Sequence, residues 1–197
     1  MASKVEIFNL ALLRLGTRAQ VQLPDENSRE ASVCSILYES CRQSTLGAFP
    51  WSFASKREAL ADMGDPPADW TFRYRYPVDC LRARRIVPQA RDAFPPVPFE
   101  VSWDGASGRV VLTDEAEAVL HYTADLEDPS VFDPEFVYAL SWHLASEAAL
   151  PLTDSPAVKQ QTYAIYQAAL RQAWAASGNE GVPREPIHLS SFESARG

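Results

Sequence analysis

Between Trp51 and Val131 the apolar pattern of this chain changes period, and that change restricts the folds open to it. On either side, apolar residues recur three and four apart; inside, short alternating runs are cut by Pro, Gly and Asp. The clearest run is "FRYRY", where Phe72, Tyr74 and Tyr76 alternate with Arg73 and Arg75, so the aromatics share one strand face and the arginines the other. "LRARRIV", "PFEVSW", "RVVLT" and "EAVLHYTA" read as further strands, and "DGASG" (Asp104 to Gly108) reads as a hairpin turn. An antiparallel sheet or small barrel of five or six strands is expected there.

The flanks read as helix pairs. Ser3 and Glu6 form an S-x-x-E capping box, Ile7, Leu10 and Ala11 share a face, and Gly16 can end the helix. Asn27 and Glu30 repeat the cap before a longer helix carrying Ala31, Cys34, Leu37, Tyr38, Cys41 and Thr45, which Pro50 stops. Further on, Asp133 caps and Pro134 occupies the first helical position of a helix with a Phe136, Leu140, Leu144 stripe. "PLTDSP" (Pro151 to Pro156) reads as a turn in which Thr153 or Asp154 caps the last helix. That helix carries Val158, Thr162, Ile165, Tyr166, Ala169, Ala173 and Trp174, and Gly178 ends it. Neither pair has enough apolar face to stand alone. The expected fold is therefore α+β: a discontinuous helical bundle (1–50 plus 132–180), an antiparallel β insertion (51–131) and an extended C-terminal tail (181–197).

Motifs for catalysis are sparse. His121, His143 and His188 occupy no metal or triad frame, and there is no nucleophile elbow, P-loop, dinucleotide fingerprint or zinc-spaced cysteine pair. The acidic run Asp125 to Glu135 lacks the ligand spacing of a calcium loop. No enzyme, cofactor or metal is expected. Cys34, Cys41 and Cys80 read as reduced, packed thiols in a cytosolic setting; a seven-residue helical spacing, about 10.5 Å of rise, bars a bridge between the first two. Neither a signal peptide nor a membrane-spanning run is expected.

The arginines raise a second possibility, a nucleic-acid-binding module built on strands within residues 70 to 87. Charge argues against it: the chain carries −8, and residues 51 to 131 hold nine Lys/Arg against fourteen Asp/Glu, a net of −5. Phosphate neutralisation supplies most nucleic-acid affinity, so such domains are usually basic. Alternating aromatics are the ordinary core face of a strand, and arginine and aromatic residues are also enriched at protein interfaces.

The order of motifs carries more than any one of them. "IFNLALLRLG", "FPWSFASKREAL" (Phe49 to Leu60, with Trp51 and Phe53), "YPVDCLR" (Tyr76, Pro77, Asp79 and Arg82) and "LASEAALPLT" follow one another. The succession, over residues 3 to 177, resembles the tail tubular protein A family of short-tailed bacteriophages and related head-to-tail adaptors. That resemblance implies a structural virion protein of the tail or neck, assembled in the host cytoplasm. It would form a homo-oligomeric ring, commonly of twelve subunits, between the portal protein and the distal tail or nozzle protein. DNA would pass through its channel without specific binding, and no membrane would be involved. A virion-associated hydrolase is the third reading.

Subunit and partner contacts are expected at Arg73, Arg75, Arg82, Arg84 and Arg85. In the tail they are expected at Ile187, His188, Phe192 and Arg196, with the tail docking on the portal. The basic face of residues 73 to 85 is expected to meet an acidic segment such as 114 to 135 on the next subunit, since a ring joins two different surfaces of one chain.

Overall fold

A computed structural model describes residues 2–17, 20–88 and 96–179. The fold is α+β, with four α-helices and two antiparallel three-stranded sheets among the described residues. Helix α1 (Lys4–Arg14) begins where the Ser3 hydroxyl accepts from the Glu6 amide, and it ends in a glycine cap. Gly16 takes φ 74, so its N–H reaches the Leu13 carbonyl and that of Thr17 reaches Leu12. A side chain there would be strained, which is why glycine ends the helix. Helix α2 (Arg29–Ala48) is capped by Ser28 rather than Asn27: the Ser28 hydroxyl accepts from the Ala31 amide. Glu26 fixes this entry by accepting from the Gln22 and Leu23 amides and the Ser28 hydroxyl.

Helix α3 (Pro134–Thr153) packs against α1, α2 and α4. Its residues Phe136, Ala139, Leu140, Leu144, Ala145 and Ala148 are all fully buried, the pattern of a central helix. It runs straight through the first half of "PLTDSP", where the sequence suggests a turn. Pro151 falls in its last turn, where it removes only one backbone donor. The chain leaves at Asp154, in the left-handed conformation, and Ser155 accepts from the Val158 amide at the start of α4 (Pro156–Asn179). Neither Thr153 nor Asp154 caps α4; the Thr153 hydroxyl donates back to Ala149. The buried stripe of α4 is Thr162, Tyr166, Ala169 and Ala173, whereas Trp174, expected with them, is 71% exposed. At 100° per residue it falls just beyond that stripe.

The six strands do not form one sheet or a barrel. β1 (Ser55–Ala59), β6 (Val119–Ala124) and β3 (Cys80–Val87) make one sheet in the order β1-β6-β3. β2 (Phe72–Arg75), β5 (Gly108–Thr113) and β4 (Phe99–Asp104) make the other, in the order β2-β5-β4. The hairpin at Asp104 to Gly108 forms as expected, with Gly108 at φ 79. Both sheets contribute to one apolar cluster: Tyr74 and Val111 from the second, Ile86, Leu120, Tyr122 and Ala124 from the first. A separate cluster fills the helical part and extends beyond residue 50 to include Trp51 and Ala54, while Leu126 packs against both clusters.

Candidate assembly surface

The motif residues that carry the family resemblance sit at joints of the fold. Trp51 lies edge-on to Phe49 (4.9 Å between ring centroids) and to Phe136 (5.1 Å). Phe53 packs on Phe136 at 5.2 Å, and the Trp51 Nε1–H donates to the Thr45 carbonyl at 2.9 Å. Edge-to-face aromatic pairs contribute roughly 0.5–1.5 kcal/mol beyond burial, so this hub ties the exit of α2 to the start of α3. At the other motif, the Pro77 carbonyl accepts from the Cys80 amide to close the turn between β2 and β3. Asp79 accepts from Lys56 (2.9 Å) and from the Tyr122 hydroxyl (2.8 Å), which also lies 2.9 Å from Glu58. Although burial pushes the Asp79 carboxyl upward, Lys56 and Tyr122 outweigh it and hold it below the usual range. Tyr76 is half-buried beneath the Arg109 guanidinium, and burial raises its hydroxyl pKa to about 12.

The arginines part company. Arg73 is mostly covered, its Nη1 3.4 Å from Asp104 of the same chain. Arg82 donates to the Gly47 carbonyl at 2.8 Å, and Arg84 to Gly47 and Phe49 at 3.1 and 2.9 Å and to the Thr123 hydroxyl. Cations at a helix C-terminus satisfy its unpaired carbonyls and complement its dipole, so this pair docks β3 on the end of α2. Arg73, Arg82 and Arg84 therefore each make contacts within the chain, Arg82 while staying exposed. Two bulges in β3, between Cys80 and Arg82 and between Ala83 and Arg85, set this arrangement and are invisible to a period-two pattern.

Arg75 and Arg85 are exposed, as Arg82 is, and unlike Arg82 they make no hydrogen bond to the end of α2. Arg85 stands opposite His121 of β6, and His121 stands opposite Arg57 of β1, so the three share the outer face of the first sheet. Arg85 Nε donates to His121 Nδ1 at 3.3 Å, and His121 Nε2 lies 2.6 Å from the Ser55 hydroxyl. Partial burial lowers the His121 pKa, and Arg85, Arg57 and Arg84 lower it further. Among the described residues neither Arg57 nor Arg85 has an ion pair. Sequence alone does not single out Arg57, because β1 lacks the alternation that marks a strand.

The acidic segment 114 to 135 is also largely engaged. Asp114 accepts from the Thr71 amide and hydroxyl, Asp128 accepts from the Ser130 amide, and Asp133 starts α3. Asp125 accepts from Arg42 at 2.5 Å and from Gln43 at 2.8 Å. Arg42 is 1% exposed and also donates to the Leu126 carbonyl and to Glu39. Burial would lower its pKa, but Asp125 and Glu39 outweigh that and hold it above the usual value. Ile187, His188, Phe192 and Arg196 lie outside the described residues.

The side chains that resemble catalytic groups also make contacts within the fold. Ser55 beside His121 looks like a nucleophile and base, yet the imidazole is oriented by a cation, which opposes the protonation a base must undergo. His143 is buried, stacked on Tyr166 at 4.3 Å, with Nδ1 2.9 Å from the Thr45 hydroxyl. Thr45 spends its own proton on the Cys41 carbonyl, so His143 Nδ1 donates, and burial holds the ring neutral by lowering its pKa. Asp133 and Glu135 line one cavity together with Trp51, and burial and Glu135 raise the Asp133 pKa. Cys34 and Cys41 are buried thiols pushed up to about 12, and no cluster of three metal-ligating side chains occurs among the described residues. Nor is any described helix long and apolar enough to cross a membrane.

No family model matches the chain, and no curated protein does.

Proposed function

We propose that this protein is a structural assembly subunit, a ring-forming head-to-tail adaptor between the portal and the distal tail of a short-tailed phage particle. In this reading it is a helical bundle with an inserted β domain, localised to the virion neck. It acts by packing and has no catalytic step. The observation that carries the reading is the place of the motif residues: Phe49, Trp51, Phe53, Tyr76, Pro77 and Asp79 hold joints of the fold rather than line a reactive pocket. Arg57 and Arg85, exposed and without an ion pair among the described residues, support it too, because arginine suits contacts between protein surfaces. The net charge of −8 suits a conduit that repels phosphates rather than gripping them.

Electron micrographs of the chain mixed with the portal of the same particle test this. The expected images show a ring stacked on the portal; portals left bare with free chain in the background would overturn it. Steep loss of single-stranded DNA binding as salt rises would favour the nucleic-acid reading instead.

A further inference from the structure

We infer that the row Arg57, His121, Arg85 is the receiving half of a subunit contact, and that the occupant is the acidic loop Asp62, Asp65, Asp69 of a second copy of this chain. This rests on the assembly reading and names the surfaces that would carry it. The row is a cross-strand ladder on the outer face of the first sheet, away from the shared apolar cluster. Both arginines are exposed, and among the described residues neither meets a carboxylate. Their field is strong enough to help hold His121 neutral, so two fixed positive charges stand on one face beside hydrogen-bonding Ser55 and His121.

The complementary surface belongs to the other sheet. Between Glu58 and Phe72 the sequence has no Lys or Arg, while Asp62, Asp65 and Asp69 are exposed. The loop is fixed before any partner arrives. Met63 donates to the Arg73 carbonyl and Arg75 to Ala61, so residues 61 to 63 run along the free edge of β2. Asp62 accepts from the Gly64 amide at 2.9 Å, Gly64 and Asp65 take positive φ, and Pro66 and Pro67 stiffen the crest. A pre-ordered loop loses little entropy on docking. Arg75, exposed on the adjoining strand, makes no ion pair with it among the described residues.

Row and loop thus sit on different sheets and carry opposite charge. Made head-to-tail, a contact between them builds a ring when its rotation closes. A second copy is favoured over a nucleic acid because a long polyanion would lie across the acidic chain, whereas a second copy, although it too carries −8, meets the row through a loop whose three carboxylates act locally under salt screening.

Charge swapping tests the pairing on the full chain by light scattering, with the cognate portal present as template. Arg57→Glu with Arg85→Glu, and separately Asp65→Lys with Asp69→Lys, are each expected to raise the concentration needed for assembly at least tenfold. An equimolar mixture of the two variants is expected to restore it, because every contact then pairs opposite charges. The neutral variant Asp65→Asn with Asp69→Asn, which preserves residues tolerant of positive φ, should weaken assembly without rescuing the acidic row. Circular dichroism verifies that each variant is folded. Wild-type assembly that either reversal leaves intact, or a mixture that fails to rescue, would overturn the pairing while the adaptor reading stands. A wild-type chain that stays monomeric on the portal would remove both. Single-stranded DNA retained by wild type and lost on Arg57→Glu with Arg85→Glu would reassign the row and overturn the contact.

Discussion

Arg42 in the helical part of this molecule and the pair Arg57 and Arg85 in the β part are placed in opposite ways. Arg42, in α2, is fully buried and saturated by Asp125, Glu39 and the Leu126 carbonyl, so it serves the fold. Arg57 and Arg85, on the outer face of a sheet, are exposed and without carboxylate partners among the described residues. The same contrast holds for the cores. The helical cluster is centred on α3 and an aromatic hub; the β cluster is smaller and shared between two short sheets. One part secures stability, leaving the other free to present charge.

That contrast can be broken by substitution. Trp51→Ala removes the hub and its hydrogen bond to Thr45, and should cost about 4 kcal/mol by denaturant unfolding. Arg42→Met leaves Asp125 unpaired and cuts the tie between α2 and the end of β6; a loss of about 3 kcal/mol is expected. Because Leu126, Arg82, Arg84 and the Gln43 bond to Asp125 are then the main remaining links, far-UV circular dichroism and tryptophan fluorescence should no longer report one coincident transition. Coincident curves for Arg42→Met would show that the two parts do not depend on this ion pair. Val111→Ala, in the β cluster, should cost about 2 kcal/mol. If it equalled Trp51→Ala, the two cores would be energetically alike and the contrast would fail.

A smaller effect comes from the histidines. His143 and His121 have pKa values lowered in the folded chain, so between the unfolded value of about 6.5 and the folded values the unfolded state binds more protons. Stability should therefore fall as pH drops below about 6.5, before the carboxylates titrate. His143→Phe should reduce that slope, as measured by urea midpoints across the range. An unchanged slope would place the titration elsewhere.

Local signals are legible where chemistry is local. The Ser3 cap, the Gly16 stop, the Asp133–Pro134 start and the Asp104 to Gly108 hairpin each depend on a few adjacent residues. The α2 cap expected at Asn27 falls one residue later, because Asn27 and Ser28 are both good caps and Glu26, outside the motif, decides between them. Pro151 suggests a break, yet it forfeits a single bond, to the Glu147 carbonyl, with only two helical residues still to follow. The division into two sheets depends on pairing across sixty residues, as between β1 and β6, and no periodicity encodes partners.

The candidate site is legible only in part. "LRARR" announces arginines, but two bulges and the end of α2 determine that Arg84 is partly covered and that Arg82, though exposed, reaches the Gly47 carbonyl, while Arg85 stays out. Arg57 gains its place only from the pairing of β1 with β6, and the acidic loop only from its attachment along β2.

The central claim is assembly, and the most direct measurement is the mass of the wild-type chain in solution, by light scattering after size exclusion, with and without the cognate portal. Twelve subunits of 21.9 kDa predict an added mass of about 260 kDa on the portal. A species of about 22 kDa that ignores the portal at every concentration would contradict the account.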